Sequence, residues 1–317
     1  MRNCIAVDGG GTKTEVILFD ETGHILRRCV GAGGNATDIG IPEAKRRLQQ
    51  CLDEALAGIS KSVEAFYGGI AGVLQAGDFY TEYFHALYPE IQTMRFEDDG
   101  FNIISGTLGH QDGCGMVCGT GSSLFVRIDG QPPRHIGGKG YLIDTGGSGF
   151  ELGQSAIKMA IRAVDGRCKQ TVLVELLEEI LGEPVSDCVI YKVHQGGRAY
   201  IASFAAAVFE GRKRGDEICQ EIFTRQASLL ADLTFPASRL FTGDFPVVIG
   251  GGIAANFPEY LDEIQRLAAP GAKIILQQAP PVYGAAVEAM WHGNISISNS
   301  FRERFLADYK VITAGAD

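Results

Sequence analysis

Residues 7–20, VDGGGTKTEVILFD, set three glycines and two threonines between two apolar runs. The flanking segments 4–7 (CIAV) and 14–19 (TEVILF) have the apolar, β-branched character of strands, so the glycines fall in the turn between them. Taken alone, the turn has two open readings. It is a tight hairpin that needs glycine, or it is a phosphate cradle, in which consecutive backbone N–H groups without Cβ atoms form a concavity for anionic oxygens. It matches neither GxxxxGK[ST] nor a GxGxxG opening a helix, because a strand follows the glycines. As a cradle its lining is Gly10, Gly11, Thr12 and Lys13, with Thr14 a further hydroxyl. Asp8, at the strand end, suits a cation held directly or through water.

Outward from this stretch, HILRRCV (24–30) follows the turn ETG and completes an antiparallel meander. Residues 42–57 carry a helical stripe at Ala44, Leu48, Leu52 and Ala55, with Pro42 near the start. A buried strand is expected over 64–72, a helix over 78–87 and a strand over 93–98, which ends on Asp98 and Asp99. The pattern then restarts. GCGMVCGTGSSLFVRIDG (113–130) is again strand, Gly-Thr-Gly turn, strand. Helices follow at about 149–165, 171–181, 198–210 and 215–233, then strands at 246–253 and 273–278 and a closing helix at 282–291. Two halves that open alike indicate duplication of one supersecondary unit in an α/β protein. The boundary is expected near GHQDG (109–113), giving domains 1–112 and 113–294, with a helix over 295–312 packed back on the first.

Composition sets the limits. At 317 residues the chain is long enough for two domains, and 45% hydrophobic with 21% charged residues describes a globular protein. A net charge of -10 argues against nucleic acid or an anionic membrane as partner. MRNCIAVDGGG lacks the apolar core of a signal peptide, and no apolar stretch approaches the ~18 residues of a membrane span. A soluble cytoplasmic protein is expected. The eight cysteines are scattered and read as reduced structural thiols, and neither they nor the six histidines show metal-ligand spacing. EGRKRGDE (210–217) reads as a solvated turn between helices.

Two further glycine clusters strengthen the phosphate reading: CGTGSS (118–123), and GGGI (250–253) at a strand-to-helix junction. In this order the motifs resemble the sugar kinase, Hsp70 and actin ATPase superfamily, and within it the N-acetylglucosamine kinase and BadF/BadG/BcrA/BcrD ATPase group. The resemblance runs from about residue 4 to 291. It rests on DGGGTKTEVILFD, GGNA (33–36), EDDG (97–100), GTGSS (119–123), GGKGYLIDTGGSG (137–149), GGGIAAN (250–256) and PVYGAA (281–286). It implies two duplicated ribonuclease H-like domains with an interdomain ATP cleft, and ATP with Mg²⁺ as cofactors. Asp8 then organises Mg²⁺, and Gly10, Gly11, Thr12 and Lys13 line the β- and γ-phosphates. Gly119, Thr120 and Gly121 contact phosphate from the second half, while Gly251, Gly252 and Asn256 flank the adenosine. Asn35, Gly138, Lys139, Gly140, Asp144, Thr145 and Asp99 face the sugar. Asp99 matches the family's catalytic aspartate, with Asp98 in place of an asparagine. Phosphoryl transfer needs an acceptor for the proton of the attacking hydroxyl, and such help is typically worth about 10²–10⁴-fold.

The chain departs from the group at one loop. Where the sugar kinases read GGWGxxxGDEGSG, this chain reads GGKGYLIDTGGSG. Lys139 replaces the tryptophan, Thr145 the sugar-binding aspartate and Gly146 the glutamate, while Asp144 stands one position early. Lys139 suggests an acidic substituent such as the lactyl carboxylate of a muramic acid. The expected activity is ATP-dependent phosphorylation of an amino sugar, N-acetylglucosamine or a close relative such as glucosamine or a muramic acid, by a homodimer that binds neither membrane nor nucleic acid. The alternative is a BadF-type ATPase acting as an activator or on a non-sugar partner. Some such activators share a [4Fe–4S] cluster across a homodimer and look like CAAGTG at the second loop, where this chain reads VCGTG, with Cys118 directly before the glycine.

Overall fold

The computed structural model describes residues 1–59, 62–73 and 79–314. In chain order the elements are β1 Asn3–Gly9, β2 Lys13–Asp20, β3 Ile25–Ala32, α1 Ala36–Ile39, α2 Ile41–Leu56, β4 Val63–Ile70, α3 Phe79–Leu87, β5 Ile91–Glu97 and α4 Gly100–Leu108. They continue with β6 Gly113–Cys118, β7 Ser122–Arg127, β8 Arg134–Ile136, α5 Gly149–Val164, α6 Leu173–Leu181, α7 Val185–Ser203, α8 Ala205–Lys213, α9 Glu217–Asp232 and α10 Thr234–Ser238. The chain closes with β9 Phe245–Gly250, α11 Gly252–Asn256, α12 Pro258–Leu267, β10 Ala272–Leu276, α13 Pro281–His292 and α14 Phe301–Ala314.

The first sheet has the order β3-β2-β1-β4-β5, and the second repeats it as β8-β7-β6-β9-β10. In the first, β1 pairs antiparallel with β2 and parallel with β4, so Asp8 lies opposite both Glu15 and Gly69. The duplicated α/β architecture expected from the two glycine hairpins is what the chain adopts. Two compact units result: Met1–Gly115 with Arg127–Pro132 and Gln277–Asp317, and Met116–Val126 with Pro133–Leu276.

In the first unit, period-2 alternation sorts the sheet's side chains onto two faces. Ile5, Val7, Val16, Leu18 and Phe66 meet Leu48 and Leu52 of α2 and Phe84 of α3. Cys4, Ala6, Ile17, Phe19 and Ala65 meet α13 and α14. Small residues let α13 lie close, with Ala285, Ala286 and Ala289 fully buried. Phe301 and Phe305 of α14 pack edge-on to Phe19, with ring centroids 5.9 and 5.7 Å away. The final helix therefore does return to the first half. The helix expected to close the second half is corrected: residues 281–292 belong to the first unit, because their apolar face is complementary to the β1–β4 surface.

Other differences are local. The helix expected over 78–87 runs Phe79–Leu87, with residue 78 outside the described residues. No helix was expected at α4, where Gly100 and Gly106 dilute the signal, nor over most of α7, where Gly196-Gly197 reads as a break. Gly197 does break it, with φ 64° and ψ -159° inside the element. EGRKRGDE spans the end of α8 and the turn into α9, as the charge pattern implied. Among the described residues no helix is long and apolar enough to cross a membrane.

Candidate active site

In the first unit the quoted stretch forms the β1–β2 hairpin. Gly10 N–H donates to Lys13 O at 2.9 Å and closes the turn. The GGNA segment braces it from behind, with Gly34 N–H donating to Gly10 O at 3.0 Å. A side chain at Gly33 would overlap the carbonyl of Gly11, so the close approach of these two backbones demands glycine. Gly11, Thr12 and Lys13 remain exposed at the tip. Lys13 and Glu15 share one face of β2, and Lys13 Nζ reaches Glu15 Oε2 at 2.9 Å. Glu15 is fully buried and also binds Arg28 Nε at 2.5 Å and the Tyr309 hydroxyl of α14 at 3.1 Å. The lysine at the hairpin tip is thus anchored to the core rather than free in solvent.

Asp8 ends the central strand and Asp99 starts α4. The residue that joins them is Asn102, which sequence reasoning missed. It lies one helical turn after Asp99, and its N–H donates to Asp99 O at 3.0 Å. Its Nδ2 donates to Asp8 Oδ1 at 2.8 Å and to Gly69 O at 3.2 Å. The side chain is fully buried. The signal available was the FN that follows EDDG, which puts a polar side chain on the buried face of a helix.

The electrostatics mark the same place. Burial pushes Asp8 up to about 6, against the opposing pull of the Asn102 amide and Lys13. Burial, and then the charges of Asp8 and Asp98, push Asp99 up to about 8. Both carboxyls are raised chiefly by burial, and a cation entering such a pocket would favour their ionised form. Hard oxygen donors in such a pocket fit Mg²⁺, which keeps several waters and is held by one or two carboxylates with substrate phosphates. Asn35 caps α1, its Oδ1 accepting from Thr37 N at 2.9 Å, which fixes the side chain beside the hairpin and leaves its NH₂ as the donor.

In the second unit the three expected motifs meet. Gly149 N–H donates to Gly119 O at 2.8 Å, and Phe150 N–H to Thr120 O at 3.2 Å, so the first turn of α5 holds the GTG loop. Ser122 Oγ donates to Gly146 O at 2.7 Å. Gly251 has φ 112°, and a Cβ there would meet Cys118 O at 2.5 Å, so the GGG cluster presses on the same loop. Asn256 Nδ2 turns back onto Gly252 O at 2.7 Å. The DTGGSG segment is pinned by the buried Gln226, which accepts from Gly147 N at 2.8 Å, and by Tyr260, whose hydroxyl donates to Gly147 O at 3.2 Å.

Within that segment Thr145 is 4% exposed and donates to Ser148 Oγ at 3.2 Å, whereas Asp144 points to solvent. Thr145, not the acid one position earlier, holds the inner place. Gly138 lies against Ser122 and Ser123, and Gly140 is open. Lys139 is exposed, with Nζ 3.4 Å from His135 Nδ1. Cys118 is fully buried and its thiol is pushed up to about 12 by burial.

Comparison with known proteins follows the same lines. Residues 5–289 match the BadF/BadG/BcrA/BcrD ATPase family. An N-acetylmuramic acid/N-acetylglucosamine kinase of Clostridium acetobutylicum is 25% identical over 91% of this chain and 98% of its own. An N-acetyl-D-glucosamine kinase of Dictyostelium discoideum is 26% identical over 90% of this chain and 97% of its own. The structure of a proposed N-acetylglucosamine kinase from Chromobacterium violaceum superposes with a TM-score of 0.73 at 23% identity, covering 90% of this chain and 98% of that one, and shares the fold.

Proposed function

The chain belongs to the BadF/BadG/BcrA/BcrD ATPase family, and from that premise we propose that it is an ATP-dependent kinase that phosphorylates a hydroxyl of an amino sugar. The observation that carries the reading is the Asp8–Asn102–Asp99 arrangement beside the Gly10–Lys13 hairpin. An ATPase needs the hairpin and one acid, but a second acid at a helix start is what an attacking hydroxyl requires. In the proposed reaction Gly10, Gly11, Thr12 and Lys13, with Gly119, Thr120 and Gly121, supply N–H and hydroxyl donors to the phosphates. Gly251, Gly252 and Asn256 flank the adenosine.

Asp8 would hold Mg²⁺, directly or through water, and that ion would supply the positive charge that neutralises the phosphates. Asp99 accepts the proton of the sugar hydroxyl as its oxygen bonds to the γ-phosphorus and ADP leaves. Burial and the charges of Asp8 and Asp98 raise this carboxyl to about 8, which makes its ionised form a stronger base than an ordinary carboxylate.

Asn35, Gly138, Gly140 and Thr145 are the proposed sugar contacts. A threonine hydroxyl in the place of an aspartate offers a weaker hydrogen bond to a sugar hydroxyl, which favours acceptors recognised through several groups. The relatives act on N-acetylglucosamine and N-acetylmuramic acid by name, and these are the first acceptors to test. Lys139 is the group available for a lactyl carboxylate. The buried, poorly ionising Cys118 does not favour an iron–sulfur activator. Cytoplasmic placement fits the eight reduced thiols.

The test is ADP release across hexosamines, N-acetylhexosamines and muramic acids, with wild-type protein and Asp99→Asn. Sugar-dependent ADP release that the variant loses supports the reading. Release independent of every sugar, or equal turnover by the variant, removes it.

A further inference from the structure

We propose that Arg198 is a nucleotide phosphate-binding residue, an inference that rests on the nucleotide-binding part of the reading above. Arg198 belongs to none of the glycine motifs. It follows the break at Gly197, where φ 64° and ψ -159° interrupt α7 and send the chain off in a new direction. An unbroken helix would continue residue 198 along the α7 axis. The break instead turns its side chain back over the GTG loop.

Its surroundings place the guanidinium beside the GTG loop. A Cβ on Gly121 would overlap Arg198 Nη2, so the cation occupies the space that glycine leaves open. Thr145 Oγ1 lies 3.7 Å from that same Cβ position. The Tyr141 ring backs the group, with Cζ 5.4 Å from its centroid. Arg198, Thr145 and the backbone of Gly121 therefore converge on one point, in a loop whose other donors are uncharged amides and hydroxyls.

The chemistry of that place suits an anion. The loops 119–123 and 137–149 contain one cation of their own, Lys139, which is exposed and turned toward His135. A planar fork of N–H donors on an aromatic face is suited to bidentate binding of phosphate or carboxylate oxygens. Phosphate is the better match, because the guanidinium stands beside Gly121 in a glycine loop that opens between two strands. Such a loop is built for close approach of several oxygens on one centre.

The variants are Arg198→Lys and Arg198→Gln, each first checked for an unliganded melting temperature within about 2 °C of wild type. Affinity for Mg·ATP is read by calorimetry with no acceptor present, so the measurement does not depend on any sugar being phosphorylated. A charge-assisted contact of this kind corresponds to about 10–100-fold in Kd for the glutamine variant, with partial recovery in the lysine variant. AMP, which lacks the outer phosphates, is expected to bind all three proteins alike. Unchanged Mg·ATP affinity in both variants overturns the proposal. So does a defect confined to the KM of carboxylate-bearing sugars, which would assign Arg198 to the acceptor. A wild type that binds Mg·ATP but phosphorylates no sugar removes the kinase reading, while the calorimetric comparison still decides on Arg198.

Discussion

Replacing Asp99 with asparagine keeps the shape of the side chain and removes its charge, and the change is expected to act in opposite directions on activity and stability. Burial and the neighbouring Asp8 and Asp98 hold Asp99 at about 8 in the folded protein, against an ordinary 3.8. The folded state thus keeps a proton that the unfolded chain has released. Stability is full below the unfolded value and falls as pH rises through the folded one. Each unit is worth ~1.4 kcal/mol, so wild type is expected to lose up to ~3 kcal/mol between about pH 5 and pH 7, and ~1–2 kcal/mol after local relaxation. Asparagine lacks that slope. Melting curves without ligand are therefore expected to show the variant pulling ahead of wild type by about 2–6 °C over that pH range. The same variant is expected to lose at least ~10²-fold in kcat while retaining Mg·ATP affinity. A melting difference that is flat with pH, or lower stability of the variant at neutral pH, would refute the charge argument even if activity were lost.

Four further outcomes are expected. Asn102→Leu removes the donor that lowers Asp8, so the Mg²⁺ concentration giving half-maximal activity is expected to rise ~10-fold or more, as a metal titration would show. Gly251→Ala must relieve a contact with Cys118 O at a backbone angle of 112°, and ATP affinity is expected to fall ~10-fold or more, read by calorimetry. Arg127→Met takes from the fully buried Glu288 the guanidinium that meets its Oε1 at 2.6 Å and leaves it the Ser105 hydroxyl and His110; urea unfolding is expected to show a loss of ~3 kcal/mol, largely recovered in the double variant with Glu288→Met. Phe305→Ala empties the site between Phe19 and Tyr283, at a cost of ~3–5 kcal/mol in the same assay with KM values unchanged.

Much of the fold is legible in the chain because its determinants are local. The hairpin at 7–20, the stripe of α2 and the second strand–turn–strand at 113–130 each declare themselves through period and turn chemistry. The repeat of that unit indicated duplication, and the two sheets share one strand order. Helices α4 and α7 escaped detection because glycines interrupt them, at Gly100 and Gly106 in one and at Gly196 and Gly197 in the other. In α7 the interruption is itself informative, since it turns Arg198 toward Gly121. The allegiance of α13 was not legible, because a run of small apolar residues fits either sheet until the opposing surface is known.

For the site, Asp8, Asp99 and the three glycine clusters could be singled out from residue type and order. Their backbone demands, room without a Cβ and a strand end bearing an acid, are written within a few neighbouring residues. The rest depends on neighbours that the chain brings from far away. Asn102 touches Asp8 across 94 positions, and Tyr309 steadies Glu15, and through it Lys13, across 294. The proton affinity of Asp99 is set by burial and by those distant charges, not by its own sequence context. Packing buries Thr145 and leaves Asp144 in solvent, a difference that their adjacent positions in the chain do not show. Periodicity and turn propensity act over a handful of residues, so the sequence alone specified most of the elements and the glycine loops. Desolvation and Coulomb interaction act through space, so only the folded chain specified which groups are charged and where they meet.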